Sequence, residues 1–188
     1  MDATTTSFLE SQLAESHSLL EGSDIVRIQA IAGPQLVVAE YHCRGLVRGP
    51  DGSVTEADSF AVGFRFADDY LRRVRPPEVL TLISPLDVFH PNMGGPRFPT
   101  GICIGEIRPA TPLIDLLHRV YEVITWQSFT PVEYDALNID ACAWARANLD
   151  RFPIDSRPLR WRAGDDGLPA PFAMTGETSL LDAMEVVG

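Results

Sequence analysis

Two short segments of this 188-residue chain carry residue types that can perform acyl chemistry. His90-Pro91-Asn92 comes first, and Gly101-Ile102-Cys103 follows, so that Cys103 lies eleven residues after Asn92. A cysteine thiol can attack an acyl carbon, and an amide N–H can stabilise the negative charge that develops on the acyl oxygen. A free cysteine is also commonly a small, inert core residue. The two segments alone therefore leave both interpretations open.

Both segments fall in an irregular stretch, residues 84–112, that is rich in proline and glycine. Loops of this length inside one compact domain are usually either functional or disordered. Well-patterned elements flank the stretch on both sides, which favours a functional loop.

The residues before the loop predict one helix and four strands. Ser7 and Glu10 have the spacing of a capping box, which marks a helix start. Leucines then recur at helical spacing, and Gly22 is a typical helix stop. Together these signals predict a helix over 7–21. Alternation of apolar and polar residues then predicts strands over 26–30, 37–44, 60–66 and 79–83. Gly49 to Gly52 has the composition of a turn. We expect an antiparallel four-stranded meander.

The residues after the loop predict two helices and a tail. Thr111-Pro112 is typical of an N-cap followed by a first helical proline, and a second helix should begin near Asn138 or Asp140. From Pro153 the chain is again rich in proline and glycine, and Leu180, Leu181, Met184 and Val187 have the spacing of a short terminal helix. The sequence therefore predicts an α+β domain over 1–152 and a tail over 153–188.

Composition excludes several classes of protein. All 15 basic residues are arginine, against 26 acidic residues, and the formal charge is −11, which opposes binding to nucleic acid. No apolar run is long enough to span a bilayer, and the first residues lack a signal-peptide pattern. We expect a cytoplasmic protein that binds neither nucleic acid nor membrane.

The three cysteines have neither the number nor the spacing of a disulfide framework. Cys43 and Cys142 fall on apolar faces of predicted elements, where packing is the expected role. A zinc set of His42, Cys43, His90 and Cys103 is disfavoured because neighbouring strand residues point to opposite faces. We expect no metal site and no cofactor.

The order of the motifs, rather than any one of them, carries a family resemblance. They are, in order, Phe64-Arg65-Phe66, Tyr70, Pro76-Pro77-Glu78-Val79, His90-Pro91-Asn92, Gly101-Ile102-Cys103, Pro109-Ala110-Thr111-Pro112-Leu113 and Asp135-Ala136-Leu137-Asn138. The series resembles the ubiquitin-conjugating (E2) family over residues 7–152. That family has a strand, a tyrosine, a Pro-Pro pair, His-Pro-Asn, Gly-x-Ile-Cys-Leu, a Ser-Pro-Ala-Leu helix start and Asp-Pro-Leu-Asn.

The resemblance implies the ubiquitin-conjugating (UBC) fold and a role for each matched residue. Cys103 would accept a ubiquitin-like modifier as a thioester from an E1-like activating enzyme and pass it to an amine of a target protein. Asn92 would support the oxyanion or the loop that holds it, and His90 and Pro91 would shape that loop. Asp135 would desolvate and orient the incoming lysine, although a solvated turn carboxylate is an equal alternative.

The sequence departs from the E2 pattern at three places, and these departures indicate a subgroup of the family. The loop between Asn92 and Cys103 is longer than in the family, Leu71-Arg72-Arg73 replaces the residues that dock ligases, and the first helix is acidic where eukaryotic members are typically basic. These features are similar to the stand-alone E2-like proteins of bacterial ubiquitin-like conjugation operons, which are associated with antiphage defence.

Two other functions remain open at this stage. One is a non-catalytic module of the same fold that binds a ubiquitin-like protein, although such variants generally lack the cysteine. The other is a cysteine hydrolase of unrelated fold that pairs Cys103 with His90 or His118.

The chain also has no lysine. A thioester on Cys103 would therefore meet no side-chain amine of its own chain.

Overall fold

The computed structural model describes residues 2–159. The chain is an α+β protein with an N-terminal helix, a four-stranded antiparallel sheet and C-terminal helices. The elements are α1 (Ala3–Leu19), β1 (Val26–Ala30), β2 (Leu36–Tyr41), β3 (Gly45–Arg48), β4 (Val54–Ala57), β5 (Phe60–Arg65), α2 (Pro76–Val79), β6 (Leu80–Ser84), α3 (Leu113–Ile124) and α4 (Ile139–Arg146). Two 3₁₀ turns, Glu133–Asp135 and Leu149–Arg151, flank α4.

The predicted four-stranded meander is confirmed, with one insertion. The strand order is β1-β2-β5-β6, and all neighbours are antiparallel. Residues 45–57, in which the sequence indicated only a turn, form a separate hairpin of β3 and β4. Each of its strands has only four residues, too few for the alternation of apolar and polar side chains to stand out.

One face of the sheet and one face of α3 form the main core. Alternate residues of β2 and β5 are buried in one cluster with the inner face of α3, as the period-2 and period-3.6 patterns predict. The buried α3 residues include Leu113, Leu116, Leu117, Val120, Val123 and Ile124. Helix α1 contacts α3. This core holds the loop 85–112 between β6 and α3.

The predicted capping box at the first helix is wrong. Helix α1 begins at Ala3 because the Asp2 carboxylate accepts the N–H of Thr5 at 2.8 Å. An aspartate is among the best N-caps, and it precedes Ser7 along the chain. Ser7 and Glu10 therefore lie within the helix instead of at its start.

The predicted N-cap of α3 is also wrong, whereas that of α4 is confirmed. The Thr111 hydroxyl donates to the carbonyl of Arg108 at 2.7 Å and so closes a local turn before α3. At α4 the Asn138 side chain accepts the N–H of Ala141 at 3.2 Å. The helix ends at Arg146, and Leu149 lies in the following 3₁₀ turn and is 37% exposed.

The chain continues to pack against the body beyond residue 152. Ile154, Asp155 and Leu159 are buried, so the first seven residues of the predicted tail contribute to the folded structure. The proposed terminal helix bearing Leu180, Leu181, Met184 and Val187 lies outside the described residues. Within residues 2–159, no helix is long and apolar enough to cross a membrane.

The Asp155 carboxylate, 1% exposed, ties this segment to the body. It accepts the N–H of Arg44 at 3.0 Å and pairs with the Arg157 guanidinium at 2.8 Å. Burial works to raise the pKa of Asp155, but the hydrogen bonds from Arg157 and Arg44 outweigh it and lower the pKa to about 2.

We expect Asp155→Asn to destabilise the protein by about 2 kcal/mol at neutral pH. An unfolded aspartate titrates near pH ~4, so the ionised group stabilises the fold above that pH and loses this contribution as the pH falls toward ~2. Urea unfolding across this range should show a smaller pH dependence in the variant. Asp150→Asn, at an exposed position, is the control. Equal losses of unfolding free energy in the two variants would contradict the account.

Candidate functional site

A small hairpin within the loop brings Asn92 and Cys103 side by side. The N–H of Cys103 donates to the Asn92 carbonyl at 2.8 Å, and the N–H of Gly94 donates to the Gly101 carbonyl at 3.0 Å. Met93 and Ile102 pair between them in an antiparallel bridge. The residues that lengthen this loop therefore turn back on themselves and leave the backbones of Asn92 and Cys103 adjacent.

The side chain of Asn92 is held by Thr130, beyond the end of α3. Its Oδ1 accepts the Thr130 N–H at 2.7 Å, and its Nδ2 donates to the Thr130 hydroxyl at 2.8 Å. Asn92 is only 7% exposed. Of the two expected roles, support for the loop is the one that these contacts perform.

We expect Thr130→Val to lower the free energy of unfolding by about 1–2 kcal/mol, because a buried donor of Asn92 loses its acceptor while the side-chain shape is kept. Thr130→Ser keeps the hydroxyl and should lose less than about 1 kcal/mol. Urea unfolding of the two variants measures the difference. Equal stability of the valine variant and the unmodified protein would show that the Asn92 contact does not stabilise the loop.

His90 is a buried, neutral histidine. Its Nδ1 accepts the N–H of Asn92 at 2.9 Å, and its ring packs edge-on against Trp126. Burial lowers the pKa of His90 to about 3, although the main chain of Ser128 favours the protonated form. A group with so low a pKa is a poor general base near neutral pH. His90 therefore contacts the loop as a neutral acceptor for the Asn92 N–H.

The segment 135–138 is fastened directly to the tripeptide. The Pro91 carbonyl accepts the N–H groups of Leu137 at 2.8 Å and Asn138 at 3.2 Å. Asp135 lies two residues before Leu137, at the end of an exposed 3₁₀ turn. The structure thus places the Asp135 segment beside the loop that carries Cys103, across about thirty residues of intervening chain.

Gly95 makes this contact close. A Cβ at this position would overlap the Leu137 carbonyl oxygen and lie 3.0 Å from its carbon. The φ of Gly95 is +108°, a conformation that L side chains rarely adopt. The loop and the Asp135 segment can therefore approach at this position only through a glycine.

Cys103 differs from the other two cysteines in exposure. It is half-buried, whereas Cys43 and Cys142 are buried, which confirms that the latter two pack in the core. Burial raises the pKa of Cys43 to about 12, with a smaller contribution from the charge of Asp155. Burial also raises the pKa of Cys142. Because the thiolate is the nucleophile, Cys103 is the most suitable of the three for acyl chemistry.

Two residues at the site were missed by sequence reasoning. Thr130 holds Asn92, and Arg119 of α3 donates from Nη2 to the carbonyls of Ile104 at 2.6 Å and Glu106 at 2.7 Å. Thr130 lies in an irregular segment with no motif of its own, and the helical period marks Arg119 only as a residue off the apolar face. Neither contact has a local sequence signal.

No cation site accompanies these residues: in the part of the chain that the structure describes, no three His, Cys, Asp or Glu side chains are grouped to hold a metal ion. His118 lies on α3, with its Nδ1 3.5 Å from a carboxylate oxygen of Glu122. The arrangement presents one half-exposed thiol on a loop fixed from three sides, by Thr130, by Leu137 and by Arg119.

No protein-family model matches the chain, and a comparison with curated proteins finds no similar sequence.

Proposed function

We propose that the protein is an E2-like conjugating enzyme that carries a ubiquitin-like modifier as a thioester on Cys103. The observation that carries the proposal is the pairing of the Asn92 and Cys103 backbones in one hairpin, whose Pro91 also binds the Asp135 segment. Three of the seven segments that resemble the E2 family, the His-Pro-Asn, Gly-Ile-Cys and Asp-Ala-Leu-Asn segments, thus meet at one place. The third segment follows Cys103 by about thirty residues, so the fold, rather than adjacency in the sequence, brings it to the loop.

The element order supports the finer proposal that the fold is UBC-like. A helix precedes a four-stranded antiparallel meander, an irregular loop bears the cysteine, and two helices follow. These are the elements that the resemblance implies, in the same order. The β3–β4 hairpin lies between the second and third strands of the meander.

The proposed reaction has two acyl-transfer steps. The Cys103 thiolate attacks the thioester carbonyl of the modifier on the activating enzyme, a new C–S bond forms, and the activating-enzyme thiolate leaves. An amine of the target then attacks the Cys103 thioester, a C–N bond forms, Cys103 leaves as the thiolate, and the amine proton passes to solvent. The steps need neither an oxidant nor a metal, and ATP is consumed by the activating enzyme.

The surroundings of Cys103 fit a carrier that must avoid hydrolysis. Burial holds the pKa of His90 at about 3, so its ring is too weak a base to activate water near neutral pH. Asp135 is exposed beside the loop, where its carboxylate can orient an incoming amine. Asn92 keeps the loop in place through Thr130. The partners are an E1-like activating enzyme, a ubiquitin-like modifier and a target protein.

The absence of lysine removes one side reaction from this scheme. The activated acyl group meets no side-chain amine on its own carrier, so self-modification is limited to the N-terminus or to labile esters. The finer placement among bacterial conjugation proteins of antiphage defence rests on the motif departures. A reducing compartment would keep the three cysteines as thiols.

The test is a charging reaction with the activating enzyme, its modifier and ATP, followed by a non-reducing gel. We expect an ATP-dependent adduct of one modifier per chain that thiol reductant removes. A modifier that binds without forming an adduct would favour the non-catalytic module instead. Labelling of Cys103 by an electrophilic modifier probe without activating enzyme, together with no ATP-dependent adduct, would favour the hydrolase.

A further inference from the structure

One guanidinium braces the backbone that follows Cys103. Arg119 Nη2 donates to the carbonyl of Ile104 at 2.6 Å and to that of Glu106 at 2.7 Å. Hydrogen bonds from a charged donor are roughly twice as strong as neutral ones. The two carbonyls belong to the first and third residues after Cys103, so this contact fixes the turn next to the thiol.

The turn itself depends on a glycine. Gly105 has a φ of +79°, and a Cβ there would lie 3.4 Å from Arg119 Nη2. The left-handed conformation directs the carbonyls on both sides toward the same nitrogen. The hydrogen bond from the Cys103 N–H to the Asn92 carbonyl fixes the backbone at Cys103, and Arg119 fixes the backbone that follows it.

The Arg119 side chain that makes these hydrogen bonds extends from α3, a helix held by the core. The neighbours of Arg119 on the helix, Val120 and Leu117, are fully buried in the core that joins α3 to the sheet. A group on a packed helix is placed more accurately than one on a loop. Through Arg119, the packed core therefore fixes the backbone next to Cys103.

We propose that Arg119 is a positioning residue that sets the geometry of Cys103 for acyl transfer, an inference that rests on the proposed function. It touches neither the modifier nor the acceptor amine in this scheme. It acts through the 104–106 backbone, where a displacement of about 1 Å can change an acyl-transfer rate by about 10²-fold.

The first arm of the test measures transfer of the modifier from charged Cys103 to hydroxylamine in a single turnover. We expect Arg119→Met to slow transfer at least about tenfold, and Arg119→Lys, which keeps one donor group, to recover part of the rate. We expect the modifier concentration for half-maximal charging to stay unchanged, because the proposed role of Arg119 is confined to the 104–106 backbone. Arg108→Met is the control, since it removes an exposed arginine of the neighbouring loop whose guanidinium pairs with the Glu106 side chain, where Arg119 binds the Glu106 carbonyl.

The second arm uses iodoacetamide and needs no partner protein. Loss of the brace should allow the turn to open locally, so we expect Cys103 alkylation at least about threefold faster in Arg119→Met than in Arg108→Met. If the unmodified protein is never charged, the proposed function fails, and this arm still decides whether Arg119 positions the thiol. Should the methionine variant not fold, the lysine variant decides both arms. Transfer and alkylation rates equal to those of the control would overturn the proposal.

Discussion

Replacement of Cys103 by alanine is expected to abolish the ATP-dependent adduct completely. Cys103 is half-buried at the surface of a fixed loop, while Cys43 and Cys142 are buried thiols whose pKa values are raised by burial. No other thiol is therefore placed to accept the modifier. Non-reducing gels of the charging reaction measure the result, and a reducible adduct on the alanine variant would refute the assignment.

Two further variants separate loss of the nucleophile from loss of binding. Cys103→Ser should form an oxyester that survives thiol reductant, and Cys103→Lys should trap the modifier through a stable isopeptide bond. Cys43→Ala is the matched control because it removes a thiol that is buried in the main core. It should charge at the rate of the unmodified protein.

The second large effect is expected from Gly95→Ala. The added Cβ would overlap the Leu137 carbonyl oxygen, and the residue would have to keep a φ of +108°. We expect a loss of at least about 3 kcal/mol from the free energy of unfolding, the sum of backbone strain and steric overlap. Separation of the loop from the Asp135 segment should slow transfer to an amine as well. Urea midpoints with an unchanged slope measure the stability.

Gly52→Ala is the control for Gly95→Ala. Gly52 has a φ of +84° in the turn between β3 and β4, and a Cβ there would meet no atom within 4 Å. The variant should therefore lose about 1 kcal/mol from its free energy of unfolding, from backbone strain alone. Equal losses in the two variants would mean that the close approach of Gly95 to Leu137 does not constrain the site.

Periodic patterns predicted the sheet and the core face of α3. A buried face needs an apolar residue every second position in a strand and about every 3.6 positions in a helix, so it leaves a repeat in the sequence. The alternation through Phe60, Val62 and Phe64 and the leucines of α3 gave the correct faces. The start of α1 was predicted too late because Asp2, close to the chain start, caps the helix ahead of Ser7. The β3–β4 hairpin was missed because four-residue strands are too short to show a period.

The site could be predicted only as a set of separate motifs. The sequence located His90, Asn92, Cys103 and Asp135, and the motif order indicated that they belong together. It could not show that Asn92 reaches Thr130, because that contact joins residues 38 positions apart. Contacts of this kind are set by the packing of α3 against the sheet and have no local signature.

The most direct test of Cys103 as the acyl carrier is to map the modifier on the charged protein. The chain has no lysine, and an arginine followed by proline resists trypsin, so Cys103 falls in the peptide 98–119 as its only cysteine. Cys43 and Cys142 fall in the separate peptides 28–44 and 120–146. Mass spectrometry under acidic, non-reducing conditions should find the modifier remnant on 98–119. A remnant on either of the other peptides, or none at all, would contradict the account.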